Sequence, residues 1–240
     1  SNKVLEKING KSLMQHVWEK LKIFPQVFIA TDSKKVVQEA KKFNANVILT
    51  NKKHINGTER CSEVIKKLNL SENEIIVNVQ CDELNIQTDW IEDMYKELKN
   101  SKKEIITTVS THLGIQTKQF WKSYNEDSSN VQVSLNVNDF AENFQRSSSN
   151  VYKNLSYNNY HKKRNLKIDH HIGIYGYSAS TLQKVSKLKV TSREKVEKLE
   201  QLRWLENNFK IKCIRTKDVH FGFSINTKED LERLKKQNIL

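Results

Sequence analysis

The run IIVNVQCDEL, Ile75 to Leu84, climbs through apolar and β-prone residues and ends in Gln80, Cys81, Asp82 and Glu83. A carboxylate at the carboxyl end of a central strand in an α/β sheet stands where such folds take their ligands. Its hard oxygens suit a divalent cation held against phosphate. On residue types alone, a surface loop with two acids accounts for the same pattern. HINGTER, His54 to Arg60, offers a glycine that lets a backbone approach a ligand, a threonine able to cap a helix, and a guanidinium. It reads equally as a polar loop with a helix cap. In HHIGIYGYS, His171 and Tyr175 are four apart and share a face if the segment is a strand. A histidine satisfied inside a core fits as well. Asp169, His170 and His171 are a poor set for a transition metal, because adjacent strand residues face opposite ways.

These groups need elements to position them, and the hydrophobic period supplies candidates. Leu13, Val17 and Leu21 mark a helix, and VFIA at 27–30 a buried strand. A helix over 33–43, capped by Asp32 or Ser33, leads to a strand at 46–50. A helix over 58–68 precedes the strand ending at Gln80; a helix over 88–98 and a strand over 104–111 follow. Strands alternating with helices of about ten residues imply a mostly parallel sheet flanked by helices. The stretch 125–165 is rich in Ser, Asn, Tyr and Lys, with one strand-like piece at 131–137. It is either an ordered excursion or partly disordered. Beyond the tyrosine strand come a long helix over 192–208, a strand over 211–216 and a closing helix over 227–236. The expected whole is one α/β domain over 1–240 with a smaller inserted lobe at roughly 112–170.

Composition narrows the partners. The 240 residues carry a net charge of +13, but the lysines are spread through the helices and interleaved with Glu, as in Glu194 to Glu200. No stripe of basic and aromatic residues forms, so nucleic acid is not the expected partner. No apolar run reaches a membrane span. Ser1 to Leu13 mixes Asn and Lys among its apolar positions, unlike a secretory leader, and Cys61, Cys81 and Cys213 form no Cys-x-x-Cys pair. A cytoplasmic protein without membrane attachment is expected.

Six segments, in order, resemble the CMP-Kdo synthetase family, cytidylyltransferases that activate the eight-carbon sugar acid Kdo. They are NKVLEKINGKSL at the start, HINGTER, VNVQCDEL, HIGIYGY at 171–177, LEQLR at 199–203 and INTKEDLER at 225–233. The resemblance covers nearly the whole chain. It implies attack of the sugar's anomeric hydroxyl on the α-phosphorus of CTP, with Mg²⁺ as cofactor, for lipopolysaccharide or capsule synthesis. It assigns Lys3 and Asp82 to catalysis and His54, Gly57, Thr58 and Arg60, with Lys3, to the nucleotide. The sugar acid falls to Gln80, Arg146, His171, Tyr175, Glu197 and Gln201, with the last two on one face of the long helix. Asp82 and Asn226 would hold the metal. A homodimer formed through the inserted lobe is also implied.

The sequence departs from the family at three points. Asn226 replaces a metal aspartate, Cys81 replaces a glycine, and Leu84 replaces a proline. The family's pattern also opens with a strand and a P-A-R-x-x-S-x-R-x-P loop ahead of the lysine. This sequence starts just before Lys3, so a sheet with unpaired neighbouring edges is expected. An active enzyme and a homologue that keeps the fold as a binding or scaffold protein both stay open.

Overall fold

A computed structural model describes residues 2–113, 118–148 and 167–216. The chain begins with a 3₁₀ turn, Asn2–Leu5, and a short hairpin, β1 Lys7–Ile8 with β2 Lys11–Ser12. Helix α1, Leu13–Leu21, buries Leu13, Met14, Val17 and Leu21, the stripe expected of an amphipathic helix. Strand β3 Ile29–Thr31 pairs in parallel with β4 Val47–Leu49 across helix α2 Lys34–Lys41, whose cap is Ser33. Helix α3 Gly57–Lys67 packs against β3 and against β5, Ile75–Asn78. Its cap is Asn56, which accepts from Glu59 N at 2.9 Å, so Thr58 is not the capping residue. Asn56 holds the extended backbone of a capping residue, while Thr58 already lies within the helix.

Helix α4 Thr88–Asn100 leads to β6 Ile105–His112, and helix α5 Lys118–Glu126 to the hairpin β7 Val131–Leu135 and β8 Ala141–Arg146. The long strand β9, Lys167–Ser178, follows, then α6 Ala179–Val185, α7 Ser192–Glu197, α8 Gln201–Glu206 and β10 Lys210–Thr216. The main sheet runs β10-β6-β9-β7-β8, with β5 also on β9. It is mixed rather than mostly parallel. β10 and β6 are parallel, but β9 runs against β5, β6 and β7. The cause is the β7–β8 hairpin, which turns the chain back so that β9 enters the sheet reversed. The described part of the 112–170 segment therefore extends the main sheet. The helix expected at 227–236 and Asn226 lie outside the described residues.

The expected long helix over 192–208 is broken into α7 and α8 at Lys198, which is left-handed (φ 54°). Arg146 supplies the reason: its Nε donates to Glu197 O at 2.8 Å and its Nη2 to Lys198 O at 3.3 Å. Those carbonyls would otherwise accept from the next helical turn. Glu197 thus ends one helix while Gln201 begins another, and the two do not share one helix face.

β9 separates two cores. His171, Tyr175 and Tyr177 face one side, where Tyr175 and Tyr177 pack with Val133, Phe144, Leu202 and Trp204. Ile172 and Ile174 face the other, with Leu13, Trp90 and Met94. A third cluster under α2 includes Met14, Ile29 and Cys81. Among the described residues no helix is long and apolar enough to cross a membrane.

Candidate active site

Strands β5 and β7 share one edge of β9 and then part. Asn78 pairs with Tyr175 and Gln132 with His170, so His171 to Ile174 face neither strand along that edge. β6 occupies the opposite edge, apart from a bulge at Gly173 and Ile174. The end of β5 therefore opens into a fork, and the polar turn Gln80–Asp82 leaves the sheet beside it. A forked sheet gives a ligand access to strand residues that pairing would otherwise cover.

On that turn, Asp82 accepts from Lys3 Nζ at 2.8 Å, with both side chains about a quarter exposed. Residues 79 positions apart are thus joined at the mouth of the fork. Burial, then the Asp82 charge, pushes the Glu83 carboxyl up to about 7. Asp82 is the more reachable carboxylate of the two, its side chain 27% exposed. Its oxygens, with phosphate as co-ligand, fit a magnesium ion, which needs few protein donors.

The substitutions beside Asp82 are absorbed. Cys81 packs into the α2 cluster, has no left-handed backbone, and is held protonated, its thiol pushed up to about 11 by burial. Leu84 is fully buried, and its carbonyl accepts from Lys20 Nζ at 2.7 Å.

The start of α3 closes the other wall. A Cβ on Gly57 would come within 3.1 Å of Asn78 Nδ2 and 3.2 Å of Gln80 Nε2. A side chain at position 57 would make these two amides move aside by a few tenths of an ångström. Thr58, buried, donates to Glu200 Oε1 at 3.0 Å and so ties α3 to the α7–α8 corner. Burial pushes Glu200 up to about 7. Glu200 was hidden in the sequence inside what looked like a solvated charge run. Its place beside the buried Gln201 in LEQLR was the available signal.

His171 and Tyr175 meet with ring centroids 5.6 Å apart, His171 edge-on to Phe144 at 4.9 Å and Tyr175 edge-on to Trp204 at 4.9 Å. Burial drives the His171 ring down to about 3, so it is neutral, and raises the Tyr175 hydroxyl well above its ordinary range. Gly57 thus stands against Gln80, Thr58 bonds Glu200 beside Gln201, and Tyr175 meets both His171 and Trp204, with Asp82 two residues beyond Gln80.

Three expected residues are engaged elsewhere. His54 pairs with Glu63 and faces Glu59 at 3.7 Å, clasping the loop before α3 to its own helix. Arg60 donates to Thr50 at 2.5 Å and Asp32 at 3.1 Å, joining the ends of β3 and β4 to α3. Arg146 adds Ser128 O at 2.7 Å to its two α7 carbonyls, which leaves two of its five N–H groups for a ligand.

A mixed sheet walled by helices, with cation, carboxylate and helix start gathered at one strand end, is the framework of an α/β nucleotidyltransferase. The chain resembles, over 98% of its length and 91% of the other's, the structure of a CMP:2-keto-3-deoxy-manno-octonic acid synthetase complexed with CTP (27% identity, TM-score 0.80). It shares the fold alone with a cytidylyltransferase from Leptospira borgpetersenii (16% identity, TM-score 0.59, 99% and 81% covered). Residues 1–212 match the cytidylyltransferase family model, and the chain belongs to that family. It is 32% identical to the 3-deoxy-manno-octulosonate cytidylyltransferase of Fusobacterium nucleatum, covering 97% of this chain and 88% of that one. With the enzyme of the same description from Thermodesulfovibrio yellowstonii the identity is 34%, covering 96% and 89%.

Proposed function

We propose that the protein transfers the cytidylyl group of CTP to the anomeric hydroxyl of a 3-deoxy-octulosonate-type acid, in the cytoplasm, supplying lipopolysaccharide or capsule assembly. The sugar oxygen bonds to the α-phosphorus as the bond to the pyrophosphate oxygen breaks, and the hydroxyl proton leaves to water. The observation that carries this reading is the Lys3–Asp82 pair at the mouth of the fork. Such transfer needs charge neutralisation and alignment more than covalent chemistry.

Lys3 supplies a point charge to the triphosphate. Asp82 would hold Mg²⁺, with Asn226 as a further oxygen donor; when bound, the metal supplies charge neutralisation at the phosphates. The loop from His54 to Arg60 borders the nucleotide, with Gly57 and Thr58 nearest the fork. Gln80, His171, Tyr175 and Gln201, joined by Glu200, orient the sugar acid, and the two remaining Arg146 donors suit its carboxylate. The neutral His171 serves as a hydrogen-bonding group rather than a charge. The family resemblance supports a homodimer formed through the 112–170 segment.

Purified protein given CTP, Mg²⁺ and Kdo is expected to release pyrophosphate and form the CMP-sugar. Absence of release with Kdo, with its 8-amino relative and with a sialic acid would end the proposal.

A further inference from the structure

Thr108 stands at an irregularity of the main sheet. It lies on β6, fully buried, where the register against β9 slips: Thr108 pairs with Tyr175 but Val109 pairs with Ile172. Two residues of β9, Gly173 and Ile174, have no counterpart on β6. In an extended strand His171 and Tyr175 would stand about 13 Å apart, at roughly 3.3 Å per residue. The bulge shortens that run, and the rings meet at 5.6 Å. Bulging also strands β9 carbonyls that a regular ladder would satisfy. The Thr108 hydroxyl lies 2.7 Å from Ile174 O, 3.3 Å from Ile172 O and 2.9 Å from His171 Nε2.

A hydroxyl has one proton for these three neighbours. At 2.7 Å from a carbonyl oxygen it must donate there, since two bare oxygens at that distance repel. The threonine oxygen is then left only as an acceptor, and the ring nitrogen facing it must carry the hydrogen.

We infer that Thr108 is a positioning residue that locks His171 in the Nε2–H tautomer, keeping Nδ1 as a hydrogen-bond acceptor for a donor group of the substrate. This rests on the reading that His171 meets the sugar acid, whose hydroxyls are such donors. The bond made by one imidazole nitrogen decides what the other can do. The same hydroxyl also holds the bulge that brings His171 to Tyr175, so one side chain sets both orientation and tautomer.

The test is ¹⁵N NMR of the imidazole nitrogens in the whole, unliganded protein, with the His171 signals assigned by their loss in His171→Asn. The expected signature is a protonated Nε2 and a bare Nδ1. Thr108→Val, which keeps the shape without the hydroxyl, is expected to abolish it; Thr108→Ser is expected to restore it. In pyrophosphate-release assays Thr108→Val should raise KM for the sugar acid about ten-fold or more while KM for CTP holds, the effect of losing one orienting hydrogen bond. Thr108→Ser should return it towards the parent. An Nδ1–H tautomer in the parent overturns the inference, as does a Thr108→Val protein with an unchanged signature. If Thr108→Val does not fold, the parent's signature alone decides. If no sugar acid is turned over, the proposed activity fails while the NMR result still stands for or against Thr108.

Discussion

Lys3 and Asp82 hold each other at 2.8 Å across 79 residues of sequence, and the exposure of that pair separates its roles. Each side chain is about a quarter exposed, so as an ion pair the contact stabilises the fold by about 1 kcal/mol at most. If its purpose is to meet a triphosphate and its metal, removing either partner should cost little stability and much rate. Lys3→Met and Asp82→Asn are each expected to leave Tm within a few degrees of the parent. Pyrophosphate release should fall about 100-fold or more, the usual loss for a charge aimed at a phosphoryl transition state. Unfolding at lower temperature with activity per folded molecule intact would assign the pair to structure instead. Both residues were legible in the sequence because each sits in a local motif. Their contact was not, since nothing in either motif names the other.

At the scale of elements, the corner between α7 and α8 is where local signals and tertiary contacts disagree. The stretch from Ser192 to Asn208 has no Gly or Pro and reads as one helix. What breaks it is the Arg146 guanidinium, some 51 residues away, which takes the carbonyls the helix would have used. Pattern reasoning has no access to that competition, and so it put Glu197 and Gln201 on one helix face, which the break at Lys198 separates. The same holds at α3, where Asn56 rather than Thr58 is the cap, although the helix itself was readable. The break forces Lys198 into a left-handed conformation that costs an L-residue about 1 kcal/mol or more. Lys198→Gly should therefore stabilise the protein by roughly 1 kcal/mol, a rise of about 2–4 °C in Tm for a chain of this size. Arg146→Ala in the same background should cancel the gain, because without the clasp the corner need not form. A Lys198→Gly protein less stable than the parent would mean that ordinary helix continues through this position in solution.

For the whole molecule, alternation of strands and helices was enough to read an α/β fold, because it follows from local period. Strand direction was not readable, because β9 is reversed by a hairpin outside the alternating pattern. That reversal makes β9 the shared partner of β5, β6 and β7 and buries His170 and His171 at its centre. Burial lowers these rings to about 4 and about 3, and raises Glu83 and Glu200 to about 7 each. The two effects oppose each other. Histidines depressed below their ordinary 6.5 give stability that is present above that pH and lost as pH falls. Carboxyls raised above their ordinary 4.5 give stability that is present below 4.5 and lost as pH rises through 7. Between pH 4.5 and 6.5 the unfolded chain gains two protons on imidazoles while the folded chain keeps two on carboxyls. The urea midpoint of the parent should therefore be nearly flat over that window and fall below it. Removing one member should tilt the plateau by about 1.4 kcal/mol per pH unit. Glu200→Gln should make the protein progressively less stable towards acid, and His170→Gln progressively more stable. Curves for the two variants that run parallel to the parent's would show that these four groups are not buried together in one cooperative unit.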